Sequence, residues 1–358
     1  MPGYTVTAAL NGGYQIATAD LAGNGRPDLI ALASGMDRIV WYENPGWEQH
    51  TLAEGVRTPI NLDVWGGRIA MAEAFSPDPR RSEGIISVLE PAGDVRNPWR
   101  KREIDRLTTS HRLRWADLDG SGLKVLVNAP LAGASAAPPN YDAHVPLVCY
   151  RPENWKREVI WDGPRGVMHG IFICDWDGDG RDEILTASFE GIHLLDLKGG
   201  KWTVTRLAQG SPGPWPNGGT SDVSVGQLRG TRFLAAIEPW HGHELVVYTE
   251  GAGGWRRRVV DNTFVDGHAL LTADVDGDGR DEIVAGCRGG GKSVYLYRAE
   301  TASGERWRRT PLDEGGMGAA SCAVADFDGD GRPQIACIDS MSVKVYAPRR
   351  DFGTAKSR

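Results

Sequence analysis

The sequence lacks the features that identify several large classes of protein. No run of eighteen apolar residues occurs in its 358 residues, so we expect no membrane-spanning helix. The formal net charge of −7 argues against a nucleic-acid partner and against an anionic membrane surface. The nucleophile elbow GxSxG, the zinc-protease motif HExxH and the dinucleotide fingerprint GxGxxG are also absent. Function must therefore be sought in the repeats along the chain.

Cysteine is scarce, and its spacing shows no pairs. The sequence contains an odd number of cysteines and no CxxC motif: Cys149, Cys174, Cys287, Cys322 and Cys337. We therefore expect reduced core residues rather than a disulfide framework or a thiolate metal site. The first ten residues, MPGYTVTAAL, lack a basic region followed by an apolar stretch, so we expect no signal peptide. This predicts a cytoplasmic protein; the alternative is a mature secreted domain that has lost its signal peptide.

A short strand that ends in an acidic turn recurs along the chain. The best copies read CDWDGDGRDE and ADVDGDGRDE, and weaker copies read LDVWGG and VGQLRG. The seven turns are spaced 43 to 58 residues apart, at positions 20, 63, 117, 175, 226, 274 and 326. A period near about fifty residues is typical of propellers and solenoids.

Each turn is followed by two apolar strands and one outer strand. The apolar runs, such as DLIALAS and RIVWYEN in the first repeat, are short, β-branched and bounded by turn-forming residues. The outer strand opens on an aromatic residue in every copy: Trp47, Trp99, Trp155, Trp202, Trp255, Trp307 and, at the other end of the chain, Tyr4. Because the chain starts with an outer strand and ends after a third strand, the N-terminal strand must complete the last blade.

These repeats predict an all-β fold, a seven-bladed β-propeller of four-stranded blades that is closed by the N-terminal strand. We expect a single propeller domain over residues 1–349 and a C-terminal tail over residues 350–358. A helical solenoid is the alternative repeat architecture. The apolar runs are too short for helices, however, and no segment shows sustained 3.6-residue periodicity.

The acidic turns have the composition of calcium sites. The motif DxDGDGxxD places carboxylates at four positions of a glycine-containing loop, and calcium takes about six to eight such oxygens. Four loops carry candidate calcium ligands: Asp175, Asp177, Asp179 and Glu183; Asp274, Asp276, Asp278 and Glu282; Asp20, Asn24 and Asp28; and Asp326, Asp328 and Asp330. The alternative is a loop that closes itself through Asx turns without an ion. The turns resemble the FG-GAP (VCBS) repeats of integrin-type and bacterial propellers, and this resemblance implies the propeller fold and calcium.

A second set of residues is expected at the mouth of the central channel. The first strand of each blade lines the propeller axis, so the residues six positions before the acidic turns should meet at the opposite face: Tyr14, Arg57, His111, His169, Thr220, His268 and Ala320. Three of the eight histidines fall at this one position. Three imidazoles could hold one divalent metal such as zinc, or one could be a base while the others bind substrate. We interpret His50 and His193, which lie elsewhere, as structural.

Loops that reach the same face supply further candidates, because loops on a rigid scaffold commonly carry function. These candidates are Tyr141 and His144 in the long blade-three loop, Trp240 and His241 in the blade-five segment EPWHGHE, Arg288 in blade six, and Asp222 near the start of the blade-five repeat.

Four segments resemble the propeller domain of the aldos-2-ulose dehydratase family: HRLRWADLDG, MHGIFICDWDGDGRDEILTASFEG, AAIEPWHGHELVVY and DGHALLTADVDGDGRDEIVAGCRGGG. The resemblance spans roughly residues 105 to 340. The chain is similar, more distantly, to propeller-type polysaccharide lyases, which act on uronate sugars. The dehydratase family removes water from keto-sugars such as 1,5-anhydro-D-fructose. The resemblance therefore implies a carbon–oxygen lyase with a carbohydrate substrate and a β-elimination mechanism.

This reaction needs a base, a group that stabilises the enolate, and an acid for the leaving group. The resemblance implies that His111, His169 and His268 supply a metal site or the base. The candidates for the acid are Tyr14, Tyr141, His144 and His241. The candidates for substrate binding are Arg57, Asp222, Trp240, His241 and Arg288.

Two other functions stay open on the sequence alone. A glycoside hydrolase would need two carboxylates facing each other at the mouth, for which Glu190, Asp222 and Glu238 are candidates. A non-catalytic sugar- or protein-binding propeller would favour exposed aromatic residues and amides over a group of titratable rings. The sequence does not fix the oligomeric state.

Overall fold

The computed structural model describes residues 3–347, and within this range every regular element is a β-strand. The strands form seven antiparallel sheets of four strands each, as the repeats predicted. None of these residues belongs to a helix that is long and apolar enough to cross a membrane. The predicted tail, residues 350–358, lies outside the described range, so the domain boundary at residue 349 stays a prediction.

The first strand, β1 (Gly3–Thr7), belongs to the last blade, and the other blades use consecutive strands. Blades one to three comprise β2 (Gly13–Ala19), β3 (Asp28–Ala33), β4 (Arg38–Glu43) and β5 (Glu48–Glu54); β6 (Asn61–Trp65), β7 (Arg68–Glu73), β8 (Ile85–Glu90) and β9 (Arg100–Arg106); and β10 (Ser110–Ala116), β11 (Val125–Pro130), β12 (Leu147–Tyr150) and β13 (Arg157–Trp161). Blades four to six comprise β14 (Met168–Cys174), β15 (Glu183–Ser188), β16 (Gly191–Lys198) and β17 (Lys201–Ala208); β18 (Asp222–Leu228), β19 (Thr231–Glu238), β20 (Glu244–Gly251) and β21 (Gly254–Asp261); and β22 (Gly267–Ala273), β23 (Glu282–Cys287), β24 (Val294–Ala299) and β25 (Trp307–Asp313). Blade seven comprises β26 (Ser321–Ala325), β27 (Gln334–Ile338), β28 (Val343–Tyr346) and β1.

Strand β1 closes the ring. It pairs antiparallel with β28, with Tyr4 opposite Val345 and Thr5 opposite Lys344. The last sheet therefore has the order β1-β28-β27-β26 and joins the two ends of the chain. The prediction that the N-terminal strand completes the last blade is confirmed. This pairing also removes the open edge that β28 would otherwise present.

Seven hydrophobic cores lie between neighbouring blades, one at each junction. Strand β3 is buried along its whole length. Its side chains alternate, so Leu29 and Ala31 pack toward blade seven, whereas Ile30 and Leu32 pack toward blade two. Each fully buried Leu or Ile contributes about 1.5–3 kcal/mol relative to an exposed one. Every blade is thus stabilised from both faces, and none has a complete core of its own.

The aromatic residues that open the outer strands pack against the preceding blade. Trp255 of blade five lies 5.9 Å, between ring centroids, from Trp176 of blade four. Trp307 of blade six lies 5.1 Å from Phe233 of blade five. The repeated aromatic signal in the sequence therefore marks inter-blade packing.

Two cysteines depart from the expectation of five reduced thiols. Cys322 and Cys337 form a disulfide between adjacent strands β26 and β27, where they are directly opposite in the ladder. The spacing of 15 residues gave no signal because antiparallel pairing, rather than closeness in sequence, brings the two Cα atoms to 4.1 Å. Cys149, Cys174 and Cys287 are free, as expected. The cytoplasmic location stays a prediction.

The closing strand provides a test of blade-seven packing. Val6 packs partly buried against the core between blades seven and one, whereas its neighbour Thr5 is exposed. We expect Val6→Asp to lower the free energy of unfolding by about 1–3 kcal/mol, because it places a carboxylate against apolar side chains. Thr5→Asp on the same strand should change it by less than about 0.5 kcal/mol. Urea denaturation of both variants checks this. If both substitutions lowered the free energy of unfolding equally, Val6 would not be the side that packs against the core.

His193 is one of the two histidines that we interpreted as structural. It lies on β16, is 7% exposed, and packs with its ring centroid 5.1 Å from that of Trp161. Burial and, to a smaller extent, the neighbouring Arg206 lower the pKa of His193 to about 4. In the unfolded chain a histidine has a pKa near about 6.5.

This difference in pKa predicts an acid-sensitive contribution to stability. Between about pH 6.5 and 4 the unfolded chain binds a proton at His193 and the folded protein does not, so the free energy of unfolding should fall as the pH is lowered through this window. The slope from one such group is at most about 1.4 kcal/mol per pH unit. We expect His193→Asn to make the pH dependence of urea unfolding shallower than in the wild type. An unchanged slope would show that His193 is protonated in the folded state.

Candidate active site

Four β-bulges create the centre of the site. In blade three, Ser110 pairs with Pro130 and Arg112 pairs with Ala129, so His111 has no partner on the neighbouring strand. One residue is likewise left unpaired in the ladder at the start of the first strand in blades one, four and six. These unpaired residues are Tyr14, His169 and His268. The corresponding ladders in blades two, five and seven run without a shift. A bulge re-aims the side chain of the extra residue, and here it turns four polar rings toward one point.

We call Tyr14, His111, His169, His241 and His268 the mouth cluster. The centroid of the His169 ring lies 4.8 Å from that of His111, 4.9 Å from that of His241 and 5.3 Å from that of His268. The three bulge histidines are buried, whereas the side chain of His241 is 31% exposed. His241 therefore covers the cluster on its solvent side.

Backbone carbonyls fix the tautomers of two of these rings. The Nδ1 atom of His169 lies 3.1 Å from the carbonyl oxygen of Ser221, and that of His268 lies 2.5 Å from the carbonyl oxygen of Ala320. A carbonyl only accepts, so each Nδ1 carries the hydrogen and each Nε2 presents a lone pair. Both lone pairs point into the mouth cluster, which is the orientation of metal-binding or proton-accepting histidines.

Tyr14 and His241 provide the hydroxyl and the fourth imidazole of the cluster. The Tyr14 hydroxyl lies 3.2 Å from Nε2 of His111 and 3.1 Å from Nε2 of His268. Nε2 of His241 lies 3.1 Å from Nε2 of His169. Tyr14 thus stands between two imidazole nitrogens with a single proton to donate.

Burial keeps the histidines neutral. It lowers the pKa of His111, His169 and His268 well below the usual imidazole value, and nearby arginines lower it further. Burial, together with the nearby Arg288, lowers the pKa of His241 to about 4. Neutral rings retain the lone pair that a metal ion or a transferred proton requires.

The residues that could hold a metal differ from the predicted trio. His169, His241 and His268 have ring nitrogens within 4.8 Å of one another, and His111 is not in this group. Nδ1 of His241 lies 3.4 Å from Asp266 and 3.1 Å from a guanidinium nitrogen of Arg288. Arg288 in turn forms an ion pair with Asp266 at 2.9 Å. Because a guanidinium only donates, Nδ1 of His241 accepts here and its Nε2 carries a hydrogen; the ring would become a ligand through Nε2 if that hydrogen moved to Nδ1, where Asp266 can accept it.

A polar chamber of about 250 Å³ lies next to Tyr14 and His268 inside the channel. Its charged lining comes from Asp63, Arg112, Arg114 and Asp222. Burial raises the pKa of Asp222 to about 6, although Arg112 and Arg114 favour its ionised form. Asp222 presses against the backbone beside His169, since a Cβ atom on Gly170 would lie 2.3 Å from its Oδ1. The predicted position of Asp222 on the axis thus agrees with the structure.

Two predicted loop residues lie one layer outside the mouth cluster. Trp240 contacts His241 at 5.0 Å and His169 at 6.5 Å between ring centroids. Tyr141 packs edge-on against Trp240 at 5.7 Å and is 4% exposed. Both residues contribute to a small apolar cluster over the channel mouth. Among the described residues, Tyr141 makes no ring contact or hydrogen bond with any of the histidines.

His144 and Arg57 lie away from the mouth cluster. His144 is exposed, and its Nδ1 bonds to the carbonyl oxygen of Gly163 at 3.0 Å. Arg57 is exposed and pairs with Glu83 at 2.6 Å. Counting back from Asp63 gave Arg57 because Asp63 was taken as a turn residue, whereas it lies within β6.

The acidic turns converge to different degrees. Carboxylate oxygens approach within 4.8 Å of one another in three sets: Asp175, Asp177 and Glu183; Asp274, Asp276 and Glu282; and Asp326, Asp328 and Asp330. Asp179 and Asp278 pair instead with Arg181 and Arg280. In the blade-one loop, Asp20 and Asp28 accept hydrogen bonds from backbone amides, as a self-closed loop would. These turns lie at the opposite end of the first strands from the mouth cluster, and no ion is needed to form their backbone hydrogen bonds.

A candidate hydrolase acid and a segment with P-loop spacing both lie in surroundings that do not suit those functions. Glu238, a candidate hydrolase acid, is fully buried and bonds to Tyr248 at 2.5 Å and Arg257 at 2.8 Å, so it is committed to blade five. The segment GCRGGGKS from Gly286 to Ser293 has the spacing of a phosphate-binding P-loop. It connects strands β23 and β24, however, whereas a P-loop connects a strand to a helix.

Comparisons with known proteins agree with this architecture. A family model described as the beta-propeller domain of aldos-2-ulose dehydratase matches residues 83–251, and a model of the FG-GAP-like repeat matches residues 274–337. Aldos-2-ulose dehydratase of Phanerodontia chrysosporium is 26% identical over 299 residues, which covers 74% of this chain and 32% of that protein. The chain thus spans about a third of the length of this curated relative.

Two solved structures show the same fold. Sqt1 of Saccharomyces cerevisiae matches with a TM-score of 0.59 at 10% identity, covering 98% of this chain and 99% of that one. BBS1N, solved in complex with ARL6DN, matches with a TM-score of 0.62 at 14% identity, covering 98% and 96%. At such low identity these likenesses support the propeller fold alone. The chain is thus a seven-bladed β-propeller that resembles the propeller domain of aldos-2-ulose dehydratase and, over residues 274–337, the FG-GAP-like repeat.

Proposed function

We propose that this propeller is a carbohydrate dehydratase or lyase that catalyses β-elimination on a keto-sugar, with 1,5-anhydro-D-fructose as the first candidate substrate. The observation that carries the proposal is the mouth cluster, in which bulges in four blades aim Tyr14 and three neutral imidazoles at one point. The likeness to the aldos-2-ulose dehydratase propeller supports the same reaction class. A uronate sugar is the alternative substrate for the same chemistry.

The proposed reaction needs no redox partner. A base removes the proton from the carbon next to the carbonyl, and the electron pair forms a carbon–carbon double bond. The hydroxyl on the following carbon leaves with a proton, so the products are an unsaturated sugar and water. The protein must therefore supply a proton acceptor, a proton donor and a group that stabilises the negative charge on the carbonyl oxygen.

The mouth cluster contains groups suited to these tasks. Tyr14 can accept a substrate proton at its oxygen while its own hydroxyl proton passes to an imidazole Nε2 within hydrogen-bond distance, and the reverse transfer can protonate the leaving group. Of the three bulge histidines, His111 is the one outside the candidate metal group, so we assign the base to it. Arg288, which lies beside His241 at the solvent side, can orient a sugar hydroxyl.

The donor set also fits a divalent metal of the zinc type. His169, His241 and His268 would hold it through ring nitrogens, and Asp266 would orient His241. Such an ion, when bound, polarises a substrate carbonyl as a Lewis acid. If Nε2 of His268 serves as a ligand, His111 is the remaining acceptor for the Tyr14 proton.

A spectroscopic assay tests the proposed activity. We expect the purified protein, with divalent metal supplied, to convert 1,5-anhydro-D-fructose into a product with the ultraviolet absorbance of a conjugated carbonyl. His169→Ala should lower kcat/KM by on the order of 100-fold or more, because it removes a central ring of the cluster. His50→Gln is the matched control, since His50 pairs with Glu43 on the outer part of blade one.

Two results would contradict the proposal. One is the absence of absorbance with keto-sugars and with uronate oligosaccharides. The other is an equal loss of activity in both variants while both stay folded by circular dichroism. The first result would favour a sugar- or protein-binding propeller, which the FG-GAP likeness also accommodates.

We further propose that calcium binds in the acidic turns with converging carboxylates. Millimolar calcium should raise the melting temperature by a few degrees, because an ion that binds only the folded state stabilises it. Asp274→Asn should remove part of this gain, since Asp274 belongs to a converging set. Asp119→Asn is the control in a loop without such a set, where Asp119 accepts a bond from the amide of Ser121. An equal calcium response in both variants, measured by differential scanning calorimetry, would contradict this assignment.

A further inference from the structure

Arg112 is a buried arginine without a carboxylate partner. It lies on β10 directly after His111, is 6% exposed, and lines the polar chamber. Among the described residues it forms no ion pair with a carboxylate within 4.0 Å, and its hydrogen bond runs from a guanidinium nitrogen to Nε2 of His111 at 3.2 Å. Its guanidinium carbon also lies 5.9 Å from the centroid of the Tyr14 ring. Burying an unpaired cation is costly, so a specific task is expected of this side chain.

The contact with Arg112 determines where His111 carries its hydrogen. A guanidinium only donates, so Nε2 of His111 must accept, and the hydrogen must sit on Nδ1. Nδ1 of His111 is buried and makes no well-formed hydrogen bond among the described residues, although the ring has a weak hydrogen bond to the backbone of His169. The ring would gain a hydrogen bond by moving the hydrogen to Nε2 and donating it to the Tyr14 hydroxyl, which lies 3.2 Å away. Arg112 is the group that opposes this change.

The tautomer of His111 sets the direction of the Tyr14 hydrogen bond. Since Nδ1 of His268 donates to a carbonyl, its Nε2 also accepts, and Tyr14 faces two acceptors. Tyr14 then donates its proton to one imidazole, and neither imidazole donates to its oxygen. The hydroxyl oxygen therefore keeps its lone pairs for a group in the mouth.

We propose that Arg112 is a positioning residue that holds His111 in the Nδ1–H tautomer, so that the Tyr14 hydroxyl is a donor to the imidazoles and an open acceptor toward substrate. The activity part of this proposal rests on the proposed elimination at the mouth cluster. The tautomer part does not, because it concerns the resting hydrogen-bond chain from Arg112 through His111 and Tyr14 to His268.

Arg114 offers a matched comparison. It lies two residues further along the same strand and lines the same chamber. Its guanidinium donates to the carbonyl oxygen of Leu113 at 2.7 Å and to Asn61 at 3.2 Å, and among the described residues it contacts no histidine. Replacing Arg114 removes a similar charge and volume from the chamber while the Arg112–His111 contact remains.

Nitrogen-15 spectra of the histidine rings test the tautomer directly. In the wild-type protein we expect the His111 signals, assigned by their loss in His111→Gln, to show hydrogen on Nδ1. Arg112→Met should move the hydrogen to Nε2, Arg112→Lys should retain the wild-type pattern because lysine also only donates, and Arg114→Met should leave it unchanged. Hydrogen on Nε2 in the wild type, or the same spectrum in Arg112→Met as in the wild type, would overturn the proposal even if another variant failed to fold.

Steady-state kinetics test the consequence for catalysis. Arg112→Met should lower kcat by on the order of 100-fold with little change in KM, and Arg112→Lys should restore most of it. A rise in KM with unchanged kcat would instead make Arg112 a substrate-binding residue and overturn the positioning role. If the wild-type protein shows no activity on any sugar, the proposed function fails, while the nitrogen-15 spectra still decide the tautomer.

Discussion

The structure depends on apolar packing between blades. Alternate residues of a strand such as β3 face opposite neighbours, so each sheet is half of two different cores. No blade can bury its apolar faces alone, and Val6 of β1 adds to the core between blades seven and one when β1 joins the last sheet. Closure therefore couples the two ends of the chain to the stability of all blades. It also leaves a channel along the axis, which the ring packing does not need to fill and where polar side chains can converge.

The mouth cluster uses this free axis through a local irregularity in the ladder. The regular first strands of blades two and five already send side chains into the channel, since Asp63 and Asp222 line the polar chamber. One extra residue in the first strand of four blades breaks the alternation at Tyr14 and the three histidines. The neighbouring residues keep their regular pairing, so the bulge turns one ring toward the axis, and the cores on both sides of the blade stay intact. The cluster is thus held by elements that are rigid for reasons unrelated to catalysis.

Much of the fold and part of the mouth cluster were predictable from the sequence, and the features that were not have physical causes. The period, the apolar runs and the displaced seventh aromatic residue predicted the blade number and the closure, because each signal reflects packing that every blade repeats. Counting from the acidic turns located Tyr14 and three histidines, since the first strands of blades one, three, four and six all have seven residues. The count gave Arg57 in blade two, where the acidic turn is lost and Asp63 lies inside the strand. His241 was predicted as an acid or a substrate-binding residue; its place beside His169 and His268 was not predictable, because it depends on a loop with left-handed backbone at this residue. The cross-strand disulfide likewise depends on strand register.

The hydrogen bonds within the mouth cluster suit it better to proton transfer than to passive binding. Three buried lone pairs, on Nε2 of His111, His169 and His268, face three donors, which are Arg112, His241 and Tyr14. The set is satisfied with protons alone; if a cation took the lone pairs of His169 and His268, Tyr14 would turn to Nε2 of His111 and share its one lone pair with Arg112. The two arrangements differ mainly in the direction of one hydroxyl and the tautomer of His241. A surface that binds sugars by stacking and amide contacts needs no such interchangeable set, whereas a site that moves a proton between carbon and oxygen does.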